Sequence, residues 1–215
     1  MKKSTKKIFE QLKKSYPILE GTPICEAAEE LVLCYKRNNK LLVCGNGGSA
    51  ADSLHIVGEL MKGFLLPRKI DAEKQDAIKR LFPQTADYLI DNLQGALPAI
   101  SLVNESSLIT AYANDMAPDL AFAQQVLGHG NKGDILIAIS TSGNSKNVLY
   151  AAQIAKVQGV RVISLTGRSG GNLKELSDIL INVPADETFM IQEYHLPVYH
   201  AVCAAVENEL FGPEE

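Results

Sequence analysis

At 215 residues the chain is long enough to bury a sizeable core as one domain, and its 46% hydrophobic and 21% charged content is ordinary for a globular protein. A net charge of −4 argues against nucleic acid or a membrane surface as partner, and no apolar run approaches the roughly 18 residues of a membrane span. Residues 1–16 are Lys-rich but lack the apolar stretch of a signal peptide, and Cys25, Cys34, Cys44 and Cys203 lie in apolar segments without Cys-x-x-Cys pairing; both point to buried thiols in a cytoplasmic protein. Residues 3–17 read as an amphipathic helix whose stripe, Ile8, Phe9, Leu12 and Tyr16, needs a partner in this chain or in a second copy. Thr22 as cap and Pro23 at the first helical position open a helix to about Arg37, which Asn38-Asn39 ends.

Lys40–Cys44 is the first strand. It runs into a glycine-rich turn, Gly45-Asn46-Gly47-Gly48, and Ser49 is placed to cap a helix reaching about Gly63. Residues 64–95 break the rhythm and read as an inserted helical hairpin: Asp71 caps a helix over 72–82, Pro83 ends it, and a second helix covers 85–94. Ala99–Val103 is the second strand, followed by helices over Ser106–Asn114 and Asp119–Leu127. Asp134–Ile139 is a continuous apolar run suited to a strand buried on both faces. Then come a helix over Ser145–Gln158, a strand over Val160–Leu165, a short helix over Gly170–Leu176, a strand over Asp178–Val183 and a last helix over about 188–210. Alternating strands and helices predict an α/β fold: a doubly wound, five-stranded parallel sheet.

In such sheets ligands bind beyond the carboxyl ends of the strands. Three of those ends are rich in glycine and hydroxyl residues: 45–49, Ser140-Thr141-Ser142-Gly143-Asn144-Ser145, and Thr166-Gly167-Arg168-Ser169-Gly170-Gly171. Hydroxyls crowded at a helix N-terminus supply side-chain and backbone donors together, so the second segment points to phosphate. A capped, serine-rich turn is the plain alternative. Gly45-x-Gly47-x-x-Ala50 formally fits a dinucleotide fingerprint, but no acidic residue ends a following strand about 20 residues on. No Gly-Lys-Ser/Thr makes a P-loop either. His55 and Glu59, four apart on one helix, share a face and lie near the first turn. The last helix adds Gln192, Glu193, His195 and His200. Gln192 and His200 are about 12 Å apart along a regular helix and about 80° around it, so both reach one ion only if Gln192 lies at a distorted helix start, with Pro197 between them to allow a kink, or if another chain supplies one of them.

These residues together resemble the phosphoheptose isomerase family of sugar isomerase (SIS) domain proteins. The resemblance rests on Cys-Gly-Asn-Gly-Gly-Ser (44–49), Ile-Ser-Thr-Ser-Gly-Asn-Ser (139–145), Leu-Thr-Gly (165–167) and Ile-Gln-Glu-Tyr-His (191–195) with His200, in this order and spacing. It implies a single SIS domain over 1–215, with residues 1–38 as oligomerisation helices, and a homotetramer with active sites at subunit interfaces. It implies conversion of sedoheptulose 7-phosphate to D-glycero-D-manno-heptose 7-phosphate on the way to nucleotide-activated heptose. Ser140, Thr141, Ser142 and Ser145 would hold the phosphate, helped by Asn46, Gly47, Gly48 and Ser49. His55, Glu59, Gln192 and His200 would bind zinc, with Gln192 also near the substrate and Asp115 facing the sugar. Glu59 would be the base and His200 the acid. Two departures bear on the substrate: the family arginine after the His/Glu helix is replaced by Lys62-Gly63-Phe64, leaving Lys62 or Arg68 to substitute, and Phe189 stands where an aspartate is usual. An isomerase of another sugar phosphate is therefore the nearest alternative. A non-catalytic relative that binds a replication initiator is the other, but such relatives typically lose the residues matching His55, Glu59 and His200.

Overall fold

The computed structural model describes residues 1–214. Its five strands are β1 (Leu41–Cys44), β2 (Ala99–Ser101), β3 (Ile135–Ile139), β4 (Arg161–Thr166) and β5 (Ile179–Asn182). They pair in parallel in the order β2-β1-β3-β4-β5. The predicted α/β class and sheet are thus observed. The register sets Leu41 opposite Ile135 and Cys44 opposite Ala138.

Alternate residues of the strands feed two cores, because successive side chains point to opposite faces. Leu41, Val43, Ile135, Ile137 and Ile163 join one core with α1 (Lys3–Ser15), α2 (Ile24–Lys36), α3 (Gly48–Met61) and α9 (Thr188–Phe211). Leu42, Cys44, Leu136, Ala138 and Val162 face the other, covered by α7 (Ala121–His129) and α8 (Lys146–Gln158). A sheet buried on both faces explains why its strands read as unbroken apolar runs.

The apolar stripe of α1 finds its partner inside the chain. Phe9 is buried, Ile8 and Leu12 pack on the same core, and Thr5 Oγ1 donates to Glu209 Oε1 of α9 at 2.6 Å. The hairpin α4 (Ala72–Leu81) and α5 (Ala86–Asn92) also forms, and Asp71 caps α4 by accepting from Lys74 N at 2.8 Å. No α4 residue is buried, so the hairpin stands off the core. Helix α6 (Ser106–Asp115) follows β2.

Several local expectations are corrected. Gly47, at φ +55°, occupies the N-cap of α3, and Ser49 lies buried within the first turn, because the chain turns sharply enough there to need a glycine. Thr22 Oγ1 turns back to Leu19 O at 2.6 Å instead of capping α2, which starts at Ile24. Strand β2 ends at Ser101, two residues early, and α9 runs as one helix through Pro197.

Candidate functional site

The order β2-β1-β3-β4-β5 reverses direction between β1 and β3, and the loops leaving those strands form the crevice of a doubly wound sheet. After β1, Gly45 passes so close to the next helix that a Cβ there would lie 2.6 Å from Ser49 O. After β3, Ser140 Oγ and Ser145 Oγ meet at 3.0 Å, which draws the loop into a cup at the N-terminus of α8. Gly143, at φ +67°, presses on the loop after β4: a Cβ there would fall 2.0 Å from Gly170 O. Gly167 N–H also donates to Thr141 O at 2.9 Å. Thr141 is half-buried and Ser142 exposed, within a loop fixed from both sides.

Asn46 has a partner of its own. Its amide and that of Asn147 exchange two hydrogen bonds of 2.9 Å, tying the first loop to the start of α8. Gln192 lies over the first loop as well: a Cβ on Gly48 would come 2.5 Å from its Nε2. Asp115, exposed at the end of α6, accepts from Asn114 Nδ2 at 2.9 Å and makes no other side-chain hydrogen bond among the described residues.

Two turns into α3, three predicted residues meet. His55 Nε2 is 3.2 Å from Glu59 Oε1 and 3.4 Å from His200 Nε2. The His55 side chain is 42% exposed and that of Glu59 14%, so the cluster opens to solvent on one side. Lys62 Nζ donates to Glu59 Oε2 at 2.8 Å. Burial alone would raise the Glu59 carboxyl, but the Lys62 ammonium and His55 outweigh it and hold it below the ordinary glutamate range. Burial, then the neighbouring His55, lowers His200 against the opposing pull of Glu59. The Phe64 ring lies on His200 at 5.5 Å between centroids.

The sequence did not point to three neighbours of this cluster: Phe64, Tyr199 and Asp52. Tyr199 OH reaches both His55 Nδ1 and Asp52 Oδ1. Asp52 precedes His55 by three residues on the same helix face, a spacing that was there to be read. Arg68 is a different correction. It is buried, with Nε on Glu207 at 2.7 Å and its other nitrogens on Leu60 O and Glu59 O at 2.6 and 3.0 Å, so it secures the end of α3 and does not face a substrate. Lys62 remains beside Glu59, and Phe189 is exposed.

Among the described residues no three or more His, Cys, Asp and Glu side chains are gathered closely enough to hold a metal ion by themselves. The donor set nevertheless suits zinc in kind. Ligands about 2.0–2.1 Å from a tetrahedral zinc lie about 3.3 Å from one another. The His55–Glu59 and His55–His200 separations of 3.2 and 3.4 Å match two edges of such a site.

The family model for the SIS domain matches residues 107–206. The phosphoheptose isomerase of Citrifermentans bemidjiense is 40% identical over 193 residues, 89% of this chain and 87% of that protein. The chain belongs to the phosphoheptose isomerase family. The solved phosphoheptose isomerase of Francisella tularensis superposes with a TM-score of 0.74 at 31% identity, over 96% of this chain and all of that one. The Neisseria gonorrhoeae enzyme gives 0.71 at 32%, over 95% and 94% of the two chains. Within this phosphoheptose isomerase fold, the serine-lined cup lies at the N-terminus of α8 and the His55–Glu59–His200 cluster between α3 and α9.

Proposed function

We propose that this sugar-phosphate isomerase interconverts sedoheptulose 7-phosphate and D-glycero-D-manno-heptose 7-phosphate through an enediol, supplying the route to nucleotide-activated heptose. One observation carries the reading: Glu59 from α3 and His200 from α9 converge on His55, two turns along the helix that the glycine-rich turn after β1 opens. Ser140, Thr141, Ser142 and Ser145 take the phosphate, where backbone N–H groups of α8 add to the hydroxyls. Gly47, Gly48 and Ser49 shape the facing wall with Asn46, and Gln192 closes it. Glu59, kept ionised by Lys62, removes the proton from the carbon next to the carbonyl, and His200 handles the proton on the other side. His55, Glu59 and His200 would hold zinc, with Gln192 supplied from a second copy because the unbroken α9 holds this chain's own Gln192 over Gly48, and the zinc would polarise the sugar oxygens. Asp115 is assigned to the sugar on resemblance alone.

The assembly we propose is a homotetramer, with residues 1–38 contributing to its interfaces and the active sites completed between subunits. The open side of His55 and the exposed Leu54, Met61 and Leu65 around it support this. A cytoplasmic location fits the four free cysteines: burial pushes Cys34, Cys44 and Cys203 up to about 12, leaving them inert thiols. No helix among the described residues is long and apolar enough to cross a membrane.

The test is to incubate the purified protein with sedoheptulose 7-phosphate beside other ketose phosphates and follow each by NMR. Sedoheptulose 7-phosphate should be consumed, and Glu59→Gln should lose at least 100-fold in turnover, the low end for a positioned base, while melting unchanged. Full activity in that variant removes Glu59 from the mechanism. Preferential consumption of a different ketose phosphate would keep the chemistry and change the substrate, an outcome that buried Arg68 and exposed Phe189 make specific to this chain.

A further inference from the structure

Asn46 stands on a loop and Asn147 on a helix, 101 residues further along the chain, and their amides close a ring. Asn46 Nδ2 donates to Asn147 Oδ1 and Asn147 Nδ2 donates back to Asn46 Oδ1, each at 2.9 Å. Singly, an exposed hydrogen bond of this kind competes with water and contributes little. Closed as a pair, the second bond forms without further loss of side-chain freedom. A ring of two amides is by itself indifferent to which end of each is the oxygen, since turning both over leaves two good bonds. Val148 removes that symmetry. Its N–H, shared with Ser145 O at 3.1 Å, also donates to Asn147 Oδ1 at 3.0 Å, and an Nδ2 in that place would set donor against donor. Asn147 is therefore oriented by its own helix, beside the fully buried Val148 in the first turn of α8, and it dictates the orientation of the exposed Asn46. The ring uses one of the two Asn46 Nδ2–H groups, and the other has no partner among the described residues.

We infer that Asn147 is a positioning residue for the isomerisation: it holds Asn46 ready in the crevice and ties the loop after β1 to the N-terminus of α8. The hydroxyl cup belongs to the α8 side of the crevice and Asn46 to the other, so a ligand long enough to touch both meets two walls already joined. Holding a side chain in its bound orientation beforehand removes the cost of ordering it on binding. Inorganic phosphate, small enough for the cup alone, gains nothing from the tie. The orientation of Asn46 follows from the hydrogen bonds alone, and its use by a sugar phosphate rests on the functional reading above.

The experiment has two arms, both on the full chain. In ligand-free protein, NMR relaxation of the side-chain amides should show Asn46 as ordered as the backbone around it, and mobile in Asn147→Ala. In the second arm, steady-state rates with sedoheptulose 7-phosphate should show KM raised roughly 2- to 10-fold in Asn147→Ala with kcat little changed, the range for one side chain left for the ligand to order. Inhibition by inorganic phosphate should stay as it was. Asn147→Ala should add nothing further in an Asn46→Ala background, whereas a merely structural role at the start of α8 would persist there. An Asn46 amide equally ordered in Asn147→Ala, a KM unmoved in that variant, or a KM effect that persists without Asn46 overturns the inference. If Asn147→Ala fails to fold, Asn147→Ser, which keeps a polar residue at the helix start but cannot close the ring, decides on the same readings. A protein that turns over no sugar phosphate, yet loosens Asn46 in Asn147→Ala, would overturn the functional reading and leave the tie between the two loops standing.

Discussion

Glu207 shows how much of the site depends on a residue that never meets a substrate. It is fully buried on α9 and accepts from Arg68 Nε and from the backbone N–H groups of Phe64, Leu65 and Leu66. The Arg68 guanidinium also lies 5.0 Å over the Phe211 ring. A buried charge with every donor matched is tolerable, but one that has lost its partner is not. Glu207→Gln and Arg68→Met should each cost about 3–5 kcal/mol. The double variant should cost less than their sum, because removing both charges strands neither. Urea denaturation of the four proteins at one protein concentration measures the cycle, and single variants within about 1 kcal/mol of the parent would contradict it. This hub was illegible beforehand. Arg68 was a candidate for the substrate because charge near a site invites that reading, and only the fold reveals Glu207, 139 residues away, as its partner.

At the scale of elements, legibility followed the period of the apolar pattern. Strands buried on both faces and the amphipathic helices stood out, whereas β2 ended early because the chain turns at once, with Asn104 N–H bonding back to Ser101 O. The turn after β1 was legible as glycine-rich but not as to which glycine does what. Gly47 supplies the positive φ, with nothing within 4 Å of where its Cβ would go. Gly48 supplies room, since its Cβ would press on the Gln192 amide at 2.5 Å. The two should therefore fail differently when replaced. Gly47→Ala should lower stability by about 1–3 kcal/mol through backbone strain. Gly48→Ala should barely move the melting temperature, because a flexible side-chain end can give way, yet kcat/KM should drop on the order of 10- to 100-fold as Gln192 is displaced. Thermal melts and steady-state rates on the same two proteins separate the cases. Equal effects on stability would refute the division of labour.

For the whole molecule, the doubly wound parallel sheet was legible from strand–helix alternation, but the strand order and the electrostatics of burial were not. His195 read as one more candidate on the last helix. It is fully buried under the end of β4, its Nε2–H donating to Thr166 O at 3.3 Å while Nδ1 has no partner. Burial lowers it to about 4 against the weaker pull of that carbonyl, so it stays neutral in the fold. In the unfolded chain the same ring titrates near 6.5. A depressed folded value means the unfolded state takes up the proton first, so stability is complete above about pH 6.5 and drains away as pH falls to about 4. The difference amounts to about 3 kcal/mol at most. Asp134 and Asp178, held below the ordinary carboxylate range because hydrogen bonds and lysines outweigh their burial, add losses only at still lower pH. Urea midpoints at pH 8, 6.5, 5 and 4 should fall mainly across the last three points. His195→Gln, which keeps a donor for Thr166 O but cannot titrate, should flatten most of that slope. An identical slope in the variant would show that acid attacks the fold elsewhere.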